Sequence, residues 1–398
     1  MNKKFVIVAT VFIDVLGMGI VIPTLPFYVQ SFGVSAFTVT LLFGIFAFCS
    51  FFSAPLLGAL SDRIGRRPVI LISICSTALG WLVFASAQSI WLLFLGRMID
   101  GAAAGNFSTA QSYLVDIARD EKERTKNLGV IGASFGIALV IGPALGGVLS
   151  YVSPTFPFWC VGILATLNLV NAYFNLPESH LNRKSEGRFS LNPFLPIMRT
   201  IKDHKIRIGL VIWFLFGLAI AIYQSIFTLY LGKVFNFGAF AAGLFMTGSG
   251  IVLSINQGWL LPKFWLKKFK ERDLEILMLI LFVIGFGLMS TSLLGMLIAG
   301  LVCLTFSQSI LRVVITSQLV ALANDRRGEL LGAMMSVMSL AMIVGPLIAG
   351  ALFVSHEKWP FLISAGLGLV ALIILYCNRR RLNKFAAQTV VQNDQTAL

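Results

Sequence analysis

Apolar runs of about twenty residues alternate along this chain with short polar breaks rich in lysine and arginine. About twenty consecutive apolar residues cross the hydrocarbon core of a bilayer as a helix. By that ruler the pattern predicts twelve helical spans, numbered here in chain order. Spans 1–6 cover roughly 5–29, 38–60, 68–87, 90–115, 127–151 and 156–176. Spans 7–12 cover roughly 206–231, 238–260, 274–293, 296–321, 329–353 and 359–378. Helix is the expected form because a spanning segment must bond its own backbone groups.

The basic residues fix an orientation. All but four of the 31 lysines and arginines fall at the amino terminus, in alternate breaks, or after span 12, and so lie on one side. The exceptions are Lys233 and Lys358 on the other side, and Arg97 and Arg312 inside spans. Cationic loops stay cytoplasmic, so both termini are expected in the cytoplasm of a cell whose inner membrane holds the protein. The net charge of +14 is thereby explained without a nucleic-acid partner. Composition agrees, with 57% hydrophobic and 12% charged residues over 398 positions. A soluble domain carries about 25% charged residues. The first apolar run is too long for a cleavable signal peptide, and no small-residue cleavage site follows it.

The chain divides into two similar halves. Gly129, Gly142, Pro143 and Gly147 of span 5 recur 203 residues later as Gly332, Gly345, Pro346 and Gly350 of span 11. Between the halves lies the longest polar stretch. The expected organisation is a six-helix bundle over 1–176, a cytoplasmic linker over 177–205, a second bundle over 206–378 and a tail over 379–398. Paired repeats of this kind build transporters with a midplane site. Gly142–Pro143 and Gly345–Pro346 are expected to bend their helices at matching heights.

Several motifs carry a family resemblance. GALSDRIGRRP, Gly58–Pro68, resembles the loop signature between the second and third helices of the major facilitator superfamily. GPALGG in span 5 resembles its antiporter signature, and LGRMIDGAAAGN its span 4 signature. FIDVLGMGIVIPTLP in span 1 is similar to the tetracycline-efflux branch of the drug:proton antiporters. The resemblance implies an all-α membrane fold of twelve helices in two pseudo-symmetric bundles, with spans 1, 4, 7 and 10 lining a central cavity. It also implies that Asp62 and Arg66, beside Gly58, latch the halves on the inner side, with Asp116 as a partner. Tetracycline exporters carry further acids near the outer end of span 3 and in span 9. Spans 3 and 9 here hold no interior acid, which points away from a metal–tetracycline substrate.

Embedded charge marks the candidate chemistry. Asp14, Arg97 and Asp100 lie deep in apolar runs, and Arg312 lies in span 10. An ionised side chain at mid-bilayer costs roughly 2.5–3.5 kcal/mol on insertion scales, so it pairs or faces water. Arg97 and Asp100, three apart, share one helical face. Asp14 has no basic neighbour one turn away, so burial favours its protonated form and makes it the better proton carrier. Two roles stay open for Arg97 and Asp100: a second proton carrier or relay, or mutual neutralisation that holds span 4 against span 1. Arg312 is a counter-charge or an anchor for an anionic group. Asn106, Gln111, Tyr223, Gln224 and Gln308 are candidate cavity residues.

These features predict a proton-coupled secondary transporter that exports a small amphipathic compound by alternating access. A siderophore or metabolite transporter on the same scaffold is the alternative. The three histidines and five cysteines are scattered, so no metal centre and no enzyme active site is expected. Expected partners are the bilayer, a small-molecule substrate and protons as the coupling ion, with no organic cofactor and a monomer as the functional unit.

Overall fold

A computed structural model of the chain describes residues 3–179, 198, 200, 203–323 and 327–396. Regular structure among them is helical throughout. The helices are α1 (Lys3–Gln30), α2 (Ala36–Ile64), α3 (Arg66–Ala85), α4 (Ile90–Ala102), α5 (Asn106–Asp116), α6 (Glu121–Leu149) and α7 (Phe156–Asn175). They continue with α8 (His204–Phe235), α9 (Ala239–Ile255), α10 (Glu271–Met289), α11 (Leu294–Leu322), α12 (Arg327–Ser355) and α13 (Trp359–Thr396). Ten of the described helical segments are long and apolar enough to cross a membrane.

The other two predicted spans depart from that count for physical reasons. Span 4 is broken into α4 and α5 at Ala103–Gly105, where two glycines flank three alanines. Gly101 and Gly105 are buried there, and Ser53 Oγ donates to the Gly101 carbonyl at 2.7 Å. Irregular backbone at membrane depth needs such a partner. Span 9, α10, starts with Glu271, Arg272, Asp273 and Glu275, so its apolar run is short.

Three further details shape the helices. After α9 the chain widens into a π-helical stretch, Asn256–Trp265, around Pro262. There the buried Asn256 donates to Ser309 Oγ at 2.6 Å and accepts from Trp265 Nε1 at 2.9 Å. Helix α13 continues beyond span 12 to Thr396. Both α6 and α12 continue through their internal prolines. The expected linker lies mostly outside the described residues.

The chain forms two compact units. The first takes in Met1–Pro193, Tyr223–Ser254 and Met342–Glu357. Here α1 packs on α6 and α7, α3 on α4 and α7, and α2 on α4. Its core holds an aromatic knot: Tyr28, Phe84 and Trp81 all meet the Phe158 ring at centroid distances of 5.1, 5.0 and 6.1 Å. Such ring pairs add about 0.5–1.5 kcal/mol each beyond their buried area. The second unit takes in Phe194–Ile222, Ile255–Ala341 and Lys358–Leu398. In it α10 packs on α11 and α13. Trp213, Phe216, Phe282 and Phe286 stack in sequence, and Trp213 Nε1 donates to the Met334 carbonyl at 3.0 Å.

Candidate functional site

Small residues let α3 and α4 touch. A methyl group added at Gly96 would fall 3.0 Å from Phe84 N, and one at Gly80 would fall 2.9 Å from Asp100 Cβ. That close approach sets Arg97 and Asp100 into the interior of the first unit, at 6% and 7% exposure. Arg97 Nη1 lies 3.0 Å from Asp100 Oδ2. The guanidinium sits over the Phe46 ring at 4.2 Å and the Trp81 ring at 5.0 Å, and its Nε points to the Leu42 carbonyl at 3.5 Å. Thr77 of α3 lies on the helix face that Gly80 brings against Asp100. Desolvated cation–π contacts contribute about 2 kcal/mol, which offsets part of the cost of burying the charge.

Among the described residues, Arg97 and Asp100 are enclosed by α2 and α3 of their own unit, and not by α1. The physical reason is the glycine face of α4, which draws the helix in against α3 and carries the pair with it.

Asp14 is half-buried on α1. It lines a small cavity with Ile13, Ile74, Thr77, Val161, Ala165 and Asn168. Asn168 Oδ1 accepts from the Thr10 hydroxyl at 3.2 Å. Thr77 is thus shared between the Asp14 cavity and the face of α3 that meets Asp100. Neither Thr77 nor Asn168 was singled out from the sequence, since a lone Thr or Asn in an apolar helix carries no signal of its partner.

A second cluster gathers at the α2–α3 junction. Gly65 adopts φ 108°, a conformation that suits glycine, and ends α2. Arg66, 8% exposed, reaches Asp62 Oδ1 at 2.6 Å, Asp116 Oδ2 at 3.0 Å and Ser61 Oγ at 2.6 Å. The Arg66–Asp116 pairing expected from sequence is thus present. Asp62, Ser61 and Asp116 all belong to the first unit. Gly58 lies nearby on α2 with open space at its Cα. The sequence reading missed Glu178. Its carboxylate accepts from the backbone N–H groups of Arg66 and Arg67 at 2.9 and 3.3 Å, so it caps the start of α3. Tyr113 fixes the preceding residue by donating to the Pro177 carbonyl at 2.8 Å.

The remaining candidates scatter. Gln111 is half-buried on α5, Tyr223 is buried on α8 at 5.1 Å from Phe227, and Gln224 is exposed. Gln308 and Arg312 stand one turn apart on α11, half-buried and exposed. Asn106 begins α5, and its side chain lies outside the described residues. The sequence also placed no acid inside span 9, yet Glu275 is 3% exposed near the start of α10. Arg272, one turn back on the same helix, and Gln318 of α11 are its polar neighbours. Four charged residues in its first five positions disguised this helix start as a solvated loop.

The helix-bend residues are packing residues in the structure. A methyl at Gly142 would lie 2.8 Å from Gly19 Cα, so α6 rests directly on α1. Gly345 and Pro346 are buried in α12.

Comparison with known proteins bears on the whole chain. The sequence profile of the Major Facilitator Superfamily matches residues 7–269 and 263–390. The class C tetracycline resistance protein of Escherichia coli is 30% identical over 386 residues, covering 93% of this chain and 96% of that protein. The quinolone resistance protein NorA of Staphylococcus aureus (strain MSSA476) is 27% identical, covering 98% and 100%. Among solved structures, the nucleoside transporter NupG superposes with a TM-score of 0.77 at 13% identity, covering 95% of this chain and 99% of that one. A bacterial homologue of the human lysosomal transporter Spinster, in an inward-facing form, gives 0.76 at 13% identity, covering 96% and 97%.

Proposed function

The chain belongs to the major facilitator superfamily, and on that premise we propose that it exports a small amphipathic compound in exchange for protons. It is an integral membrane transporter and not an enzyme. Two resistance proteins match it over nearly their full lengths, which supports a drug-like substrate and outward movement. The basic loops support cytoplasmic termini.

The observation that carries proton coupling is the half-buried Asp14 carboxyl beside Thr77 and Asn168. An ionisable group kept within an apolar span, at a cost of a few kcal/mol, is by default a functional group. In alternating access one carboxyl faces each compartment in turn. Protonation removes its negative charge and weakens its hold on a cationic substrate. Substrate leaves outside, the protonated carboxyl returns to face the cytoplasm, and loss of its proton there restores the negative charge for the next cycle. Arg97 and Asp100 support this step from inside the unit, by fixing α4 against α3.

The test is proton flux from proteoliposomes on addition of tetracycline, a fluoroquinolone or a ferric siderophore. Drug-evoked flux that vanishes in Asp14→Asn, with the protein still folded in the membrane, is the expected result. Undiminished proton-driven transport in Asp14→Asn would remove Asp14 from the mechanism.

A further inference from the structure

Thr77 faces two ways. Gly80, three residues on, lies against Asp100, so Thr77 shares the face of α3 that meets α4. The same residue lines the cavity that holds Asp14, together with Ile74, Val161 and Asn168. That cavity has room for a single water molecule and presents three polar groups to it, the number a buried water requires. The Asn168 amide keeps its N–H groups for such a water, because its oxygen is engaged by Thr10.

We infer that one water molecule bound between Asp14, Thr77 and Asn168 joins the two embedded carboxyls into a single proton-sharing unit, through the Thr77 hydroxyl. The inference rests on the proton-coupled reading above and adds a route to it. The water accepts from Asn168 and donates to Thr77 Oγ1. When Asp14 is protonated, its O–H proton passes to the water, a water proton passes to Thr77, and the Thr77 proton passes to Asp100. Asp14 ends as a carboxylate and Asp100 as an acid. Each oxygen in between loses one proton and gains one, and total charge is unchanged. In its ionised form Asp100 is held by Arg97, so the transfer also releases that arginine from its partner.

The surroundings limit what else takes part. Asp14 is the one ionisable side chain lining its cavity. The charged residues of α6, which also packs on α1, lie at its start, and α5 carries Asp116 at its far end. Among the described residues, Arg97 on the same helix is the charged neighbour of Asp100, and Cys49 of α2 stands beside Arg97.

The experiment is infrared difference spectroscopy of the full chain in lipid vesicles, titrated with acid and assigned with Asp14→Asn and Asp100→Asn. It needs no transported substrate. In the wild type, Asp100→Asn is expected to shift the titration midpoint of Asp14. In a Thr77→Val background that shift disappears, and in Thr77→Ser it persists. Thr77→Ala serves as a second hydroxyl deletion if the valine variant does not fold. An Asp14 midpoint that responds equally to Asp100→Asn with and without the Thr77 hydroxyl overturns the shared unit but leaves proton coupling standing. Absence of any Asp14 carboxyl band change in the wild type overturns both.

Discussion

Arg97 Nη1 stands 3.0 Å from Asp100 Oδ2, one turn along the same helix, with Phe46 and Trp81 closing over the guanidinium. Removing one partner of such a pair leaves an uncompensated buried charge and costs about 3–5 kcal/mol. Arg97→Ala is therefore expected to lower thermal stability sharply in detergent melts. The joint replacement Arg97→Met with Asp100→Leu is expected to recover most of that loss, because two matched apolar groups need no counter-charge. A double variant as unstable as the single one would mean that the pair does not act as a unit.

The cap on α3 makes a separate prediction. Glu178 occupies the space where a side chain at residue 65 would begin, and Gly65 is at φ 108°. Gly65→Ala therefore meets both backbone strain, about 1–3 kcal/mol, and a collision with the capping carboxylate. Glu178→Gln keeps the shape but loses the charge that complements the helix start, about 0.3–1 kcal/mol. Thermal melts of the two variants should rank Gly65→Ala well below Glu178→Gln. The reverse order would show that the carboxylate charge dominates the junction.

These sites were unequally legible in the sequence. The spans and the two halves follow from apolar run length, the side of each arginine and lysine, and the 203-residue echo of Gly142 and Pro143, all of which are local or periodic signals. The i,i+3 spacing made the Arg97–Asp100 contact readable. Its enclosure was not, because Gly80 and Gly96 act across two helices, and only the folded chain brings them together. Thr77 was invisible for the same reason. Glu178 sat at the edge of a polar linker, where an acid normally faces water. Ala103–Gly105 read as helix because alanine is the best helix former, and the flanking glycines alone were weak evidence for a break.

Acid should weaken the loop between α12 and α13. Its own backbone N–H holds the Glu357 carboxyl below the usual glutamate range, with His356 and Lys233 adding to the effect. A depressed carboxylate contributes stability above its unfolded value, about 4.3, and loses it as pH falls through the lower folded value. The Lys233–Glu357 contact at 3.5 Å is partly exposed, so the contribution is at most about 1 kcal/mol. Melts of Glu357→Gln and wild type should differ slightly at neutral pH and converge on acidification. A difference that grows as pH drops would reverse the sign and rule out this account.

Contact between α1 and α6 turns on absent side chains. Gly19 and Gly142 face each other so closely that a methyl at residue 142 would lie 2.8 Å from Gly19 Cα and 3.1 Å from the Leu16 carbonyl. Both obstacles are backbone, which cannot rotate away, so the helices must separate. Overpacking of this kind costs about 1–3 kcal/mol. Gly136, on the same helix, has open space around its Cα, and a methyl there meets nothing within 4 Å. Gly136→Ala removes glycine's conformational freedom without a clash and is expected to melt at or above the wild-type temperature. Gly142→Ala is expected to melt lower and to expand the α1–α6 spacing, which a nitroxide pair on the two helices would register as a longer distance. Equal melting of the two variants would show that α1 and α6 slide past the added methyl, and that the glycine pair does not set their separation.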